Sequence, residues 1–290
     1  MEHGNTMAST TRRKTRPHVY REGESYEYLF EVTEASYSTE QLERLPMIKE
    51  LLKIEELIIR YRLSTVSVEE HEVQQTIELI DTRYREVPIE RLTSSESHAT
   101  QFQPLSSLIP DFPANLSYRF SGEDFIESLN QACAPYLTHP LGIFLHYKLI
   151  DVHSFQSVVD DIGANESPGH IVISPSEDIA VEHGVFHNHE PVRLYHRVDV
   201  LEGVRHAYFK VQTMGNVFRV PQQGMELHTN YQMTFHVPLE GEAAGLVSSG
   251  EQQELGYTVQ GDEPITAVQR QISLKMQSGT ARSGLNWQAE

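Results

Sequence analysis

A single cysteine, Cys133, stands among the 290 residues. A lone thiol excludes a disulfide framework and any zinc site built on several cysteines, and it points to an intracellular protein. No stretch approaches the 18 or so apolar residues of a spanning helix, and the polar N-terminus has no signal-peptide core. The longest mainly apolar stretches, such as 141–149, are strand-sized. A glycine-rich phosphate loop of the GxxxxGK[ST] kind is missing, which argues against an NTPase. There is no GxSxG elbow, and Cys133 has no local signature of a nucleophile, so it reads as a helix-end core residue. Cations are scarce as well: 23 Lys and Arg face 41 Asp and Glu, for a net charge of -18. Phosphate binding is driven by concentrated Lys and Arg, so a surface that binds nucleic acid all over is excluded. The exception is local, because Arg12, Arg13, Lys14, Arg16 and Arg21 cluster with little acid among them. Such an arm can touch RNA, an anionic membrane or an acidic partner.

What remains is alternation. Residues 1–21 have almost nothing to bury and are expected to form a flexible basic arm. A first strand is predicted over 26–33. The capping-box pattern Ser38-Thr39-Glu40-Gln41 predicts a helix carrying Leu42 and Leu45, bent at Pro46 and continuing to 54. Residues 57–68 and 73–81 form a predicted strand pair across a polar turn at 69–72. A long polar loop follows over 86–110, with a short strand near Phe102, then a strand over 116–120. Ser121 caps a predicted helix with Phe125, Ile126 and Leu129 inward, and 141–152 is a core strand. Further strands are predicted at 169–174, 192–200, 206–214, 217–220 and 231–237, with Gly215-Asn216 as a hairpin turn. Residues 239–290 turn rich in Gly, Glu, Gln and Ser and are expected to be a mostly mobile tail, with one strand at 272–276. The pattern predicts a mainly β protein. Its core, over 22–238, is an antiparallel sandwich or jelly roll with two or three inserted helices, because strands follow one another without regular crossover helices.

Three sets of residues carry possible chemistry. His183, His187 and His189, beside Glu182 and Glu190, offer imidazole and carboxylate ligands to a transition metal, and Glu202, His228 and His236 add others. A cupin-like metal enzyme arranges a His-x-His pair with a later Glu and His, but the spacing here does not match. Aromatic residues on the strands read as core, without the interleaved Arg or Lys of a base-stacking platform. Asp81 ends the run Ile77, Leu79, Asp81, which alternation places on one face of a strand. A carboxylate there must accept hydrogen bonds or pair with a cation such as Arg83. It either caps a turn or does something more.

The order of these features resembles the 30K superfamily of plant virus cell-to-cell movement proteins. That family's signature is an apolar strand ending in Leu-x-Asp-x-Arg, which stands here as Leu79, Asp81 and Arg83. Downstream come Phe112-Pro113, Tyr118-Arg119-Phe120, the polar step 121–124 and the apolar run 141–145, in the family's order. The resemblance spans about residues 50–150. It implies a non-enzymatic protein without a cofactor that helps carry a viral genome through plasmodesmata. Single-stranded nucleic acid or a viral nucleoprotein, host membrane or plasmodesmal proteins, and further copies of itself would be its partners. Its location would be the host cytoplasm and cell periphery, with Arg12, Arg13, Lys14 and Arg16 as the nucleic-acid contacts. A jelly-roll capsid or matrix-like protein shares the strand pattern and the arm, and the cupin-like enzyme is the other alternative.

Overall fold

The computed structural model describes residues 19–42, 45–70, 72–88, 101–104, 107, 115–120, 169–173, 179–181, 184–188, 192–220, 225–260 and 263–280. Thirteen strands lie in these segments. They are β1 (Ser25–Leu42), β2 (Leu45–Val68), β3 (Val73–Pro88), β4 (Gln103–Pro104), β5 (Asn115–Phe120), β6 (Gly169–Ile173) and β7 (Ile179–Val181). After them come β8 (Gly184–Asn188), β9 (Val192–Leu201), β10 (Val204–Val220), β11 (Met225–Pro238), β12 (Ser249–Gln260) and β13 (Glu263–Thr280). All belong to one sheet, and its continuous path is β4-β3-β2-β1-β13-β12-β11-β10-β8-β7. Strand β5 pairs with β3, and β9 bridges β10 and β6. The mainly β, antiparallel class predicted from alternation is what the chain adopts. Most neighbours along the path are consecutive strands, and the step from β1 to β13, at its middle, joins the first strand to the last.

One face of this sheet is the core. Reading across the register, Ile59, Phe30, Leu274, Gly250, Phe235, Phe209 and His196 stand in one row on successive strands. The next row is Tyr84, Leu57, Val32, Ile272, Gln252, Met233, Val211 and Leu194. Phe30, Leu57, Ile59, Phe209 and Phe235 have no exposed surface. Each contributes about 1.5–3 kcal/mol by leaving water. Gly250 sits between Phe235 and Leu274, where the absent side chain leaves room for its large neighbours. Stacking of Phe209 on Phe235, with ring centroids 5.0 Å apart, fills part of that row.

A third row closes the core with charge: Glu86, Glu55, Glu34, Arg270, Glu254 and Tyr231. Arg270 donates through Nε to Glu34 at 2.8 Å and through Nη1 to Glu254 at 2.9 Å. Tyr84 donates its hydroxyl to Glu55 at 2.9 Å, and Lys53 reaches the same carboxylate at 3.0 Å. Burial, then the Glu55 carboxylate, raises the Tyr84 hydroxyl above its ordinary value, so it stays a donor at any working pH. The opposite end is sealed without a cation in the chain of bonds. Tyr118 donates to Gln75, Gln75 to Thr65, and Thr65 to the buried Glu24 carboxylate.

Several expectations change. The helix predicted over 38–54 is absent: β1 runs to Leu42, and β2 pairs with it back to Leu45. The capping-box residues are only a local preference, and cross-strand pairing along the whole hairpin outweighs it. Pro46 fits because it lies near the start of its strand. The segment 239–290, expected as a mobile tail, contains β12 and β13, and β13 sits between β1 and β12 at the middle of the sheet. The sheet therefore reaches Thr280, beyond the boundary expected at 238. Gly215-Asn216 makes no hairpin. Strand β10 continues through it with a shifted register, changing its neighbour from β9 to β8. The tight turn lies at Glu202-Gly203, both with positive φ (52° and 81°), which suits a two-residue connection of two twisted strands. The helix expected after Ser121, the strand at 141–152 and Cys133 lie outside the described residues.

Arg270 holds two half-buried carboxylates apart, so its loss leaves like charges facing one another. Arg270→Met is expected to cost about 2 kcal/mol, below the 3–5 of a fully buried pair, and to lower Tm by roughly 4–8 °C. Thermal melts should show part of that loss recovered when Glu34→Gln is added.

Candidate functional site

The face opposite the core is polar and has its own order. Arg193, Gln212, Gln232, Gln253, Gln271, Thr33, Glu56 and Arg85 are register partners in a single row across β9 to β3. Four glutamines thus stand abreast on β10, β11, β12 and β13. Their sequence neighbours Val211, Met233, Gln252 and Ile272 are all buried, which fixes the amides on the other side. The row beside them, Asn230, Leu255, Gln269 and Ala35, has two more carboxamides. Tyr37 donates its hydroxyl to Gln269 at 3.4 Å.

These residues floor a groove of about 520 Å³. Ile48, from the outer part of the β1–β2 hairpin, is part of its wall. The intervening Tyr231, Glu254 and Arg270 also border it, but their side chains belong to the core-face row. The hairpin register shifts twice between Ser36 and Thr39. Such shifts bend and twist a strand pair, which accounts for Ile48 meeting strands that are distant from β2 in the sheet order. Gln212, Gln232, Gln253 and Gln271 make no side-chain hydrogen bond with another described residue, so their donors and acceptors face the groove or solvent. Burial, then the charge of Glu254, raises the Tyr231 hydroxyl. The floor offers neutral hydrogen bonding, with Arg193 at the end of its row, while Arg270 is turned to the other face and held there by two carboxylates.

The residues singled out in the sequence fall elsewhere. Leu79, Asp81 and Arg83 all lie on β3, but Asp81 does not share a face with Ile77 and Leu79. Tyr61 pairs with Leu79 and Arg60 with Asp81, so Ile80 is an extra residue between them. That bulge flips the alternation and sends Asp81 to the polar face. There it pairs with Arg83 at 2.9 Å, the two side chains 45% and 50% exposed. The pairing with Arg83 is as expected, whereas the end of an apolar face is not.

Arg12, Arg13, Lys14 and Arg16 lie outside the described residues, as do His183, His189, Glu182 and Glu190. His187 is on β8, His228 bonds Glu226 at 3.0 Å, and Glu202 occupies the β9–β10 turn. Among the described residues no three His, Cys, Asp or Glu come together as a metal site. The glutamine row was missed because each member looks like an ordinary solvent-facing residue of its own strand. Only the register, shifted by no bulge at these positions, aligns them.

Elsewhere on the polar face cations meet acids. Glu27 accepts from Arg62 at 2.6 Å and from Arg60 at 2.8 Å, Arg62 also reaches Glu78 at 2.8 Å, and Arg85 pairs with Glu56. Arg85 also lies over the Phe102 ring, 4.4 Å from its centroid. Arg119 pairs with Glu72 and Arg197 with Asp199. A polyanion would have to compete with these carboxylates for each guanidinium.

No protein-family model matches the chain, and no curated protein matches it. Several solved structures are similar to it at low level, three of them as follows. One, described as "lipid-protein interactions in lipovitellin", has a TM-score of 0.47 at 10% identity, covering 93% of this chain and 27% of that one. An outer membrane channel from Pseudomonas putida F1 gives 0.30 at 8% identity, covering 90% and 98%. DynF from the dynemicin pathway of Micromonospora chersina gives 0.21 at 8%, covering 89% and 88%. Every one of these TM-scores lies below one half.

Two outcomes are expected on this face. An exposed ion pair is worth at most about 1 kcal/mol, so Asp81→Ala should shift Tm by no more than roughly 2–4 °C. A larger drop in a thermal melt would show that Asp81 has a buried partner. The second outcome concerns pH. Hydrogen bonds from Arg62 and then Arg60 hold the Glu27 carboxyl below its ordinary value. A depressed folded pKa adds stability above the unfolded value and loses it as pH falls through the folded one. Glu27→Gln should therefore be less stable than the parent at neutral pH, by under about 1 kcal/mol. Denaturant titrations should show the gap closing below about pH 4.

Proposed function

We propose that the chain is a non-enzymatic binding protein and that the glutamine-floored groove is where it recognises its ligand. The observation that carries this reading is the row of four aligned carboxamides whose hydrogen-bonding capacity is unspent within the described fold. Isolated surface glutamines are common. Four in register beneath an overhanging isoleucine form a floor that can hold an uncharged, extended, hydrogen-bonding molecule. Ion-paired arginines and the net charge of -18 favour a neutral ligand over a polyanion. The sandwich-like arrangement belongs to the same proposal. Residues with no exposed surface lie at β2 and at β10, so the apolar face needs cover along its whole width, and a second layer would provide it.

The narrower reading, a plant-virus movement protein, keeps one specific support: Leu79, Asp81 and Arg83 lie on a long strand with Asp81 bound to Arg83. On that reading nucleic acid is held by the arm at 12–16, and the sheet serves partners and self-association.

A thermal-shift screen of the full chain separates the two, using neutral glycans, uncharged peptides and single-stranded oligonucleotides. The groove reading expects stabilisation by a neutral class and its loss in Ile48→Asp, a change at an exposed side chain. Stabilisation only by oligonucleotide, abolished by deleting residues 1–21 and untouched by Ile48→Asp, would overturn the groove and support the movement reading.

A further inference from the structure

The groove's chemistry goes further than "neutral". Resting on the binding reading above, we infer that its ligand is a linear, uncharged oligosaccharide lying across the strands. A carboxamide presents two N–H donors and a carbonyl acceptor from one rigid plane, and a sugar hydroxyl is likewise both donor and acceptor. A row of amides therefore meets a row of hydroxyls without any charge to desolvate. With strands about 4.8 Å apart, Gln212, Gln232, Gln253 and Gln271 extend over roughly 14 Å, the reach of a short oligomer rather than a monosaccharide. Leu255 on the floor and Ile48 on the wall supply apolar contacts for the C–H faces of pyranose rings.

The alternatives fit less well. A phosphorylated or sulfated polymer would need a cluster of cations along its length, and the row offers one, Arg193, at its end beside Gln212. An extended peptide is recognised chiefly by pairing its main chain with an open strand edge. The groove lies mid-sheet, where β11, β12 and β13 each have paired strands on both sides.

Isothermal titration of the full chain with cellohexaose, maltohexaose and chitohexaose tests the assignment. At least one should bind with a sub-millimolar Kd. Losing two hydrogen bonds at about 0.5–1.5 kcal/mol each, Gln232→Ala/Gln253→Ala should weaken it by about tenfold or more. That double variant should melt as the parent does, and Thr234→Ala, in the next row of the same face, should bind as the parent does. If none of the three hexasaccharides binds at millimolar concentration, or if binding survives in the double variant, the assignment is overturned. Should an uncharged peptide instead stabilise the parent but not Ile48→Asp, the groove would remain a binding site and only its oligosaccharide ligand would be wrong.

Discussion

One-sided burial governs everything else in this sheet. Because side chains alternate strictly along a strand, burying Phe30, Ile59, Phe209 and Phe235 on one face fixes the register of each strand against the next. A slip by one residue would expose a whole row of the core and bury a row of charge. The same constraint aligns the glutamines, although none of them touches the core. Their order is a consequence of what lies behind them.

That dependence explains how much was legible in the sequence. Strand existence was readable wherever apolar and polar residues alternate, as in β1, β5, β9 and β11, because alternation is a local property. The error at 38–54 has the same origin in reverse. A capping-box string was given weight, while the pairing of that segment with the rest of its own hairpin is invisible in a short window. Strands β12 and β13 were lost to composition: Gln, Glu, Ser and Gly look mobile when read singly. In Ser249–Gln260, however, two glycines and Gln252 occupy the buried positions, so the strand is carried by its neighbours Phe235, Met233, Ile272 and Leu274.

The site was less legible still. Asp81 drew attention as the end of an apolar run, and its pairing with Arg83 was anticipated. Its face was not, since a single extra residue at Ile80 inverts every position after it, and nothing in the local sequence marks a bulge there. The amide row is the opposite case, with no local signal and a complete tertiary one. Four strands from the second half of the chain must pair before it exists.

The pairing of β1 with β13 has a kinetic side. It joins Ser25 to Thr280, so the two strands that complete the middle of the sheet are far apart along the chain. Long-range pairing of this kind is slow, because the chain must close a very large loop before the contact forms. Until β13 arrives, the β1–β2–β3 meander presents a long bare edge carrying Tyr28, Leu29 and Phe30. An open edge of that length is an invitation to other chains. Of the acidic residues along β1, Glu27 already has Arg60 and Arg62 of β2 as partners within that meander, whereas Glu34 meets Arg270 only when β13 pairs. The carboxylate that Arg270 holds in the finished sheet is a negative charge on that edge until β13 supplies the guanidinium.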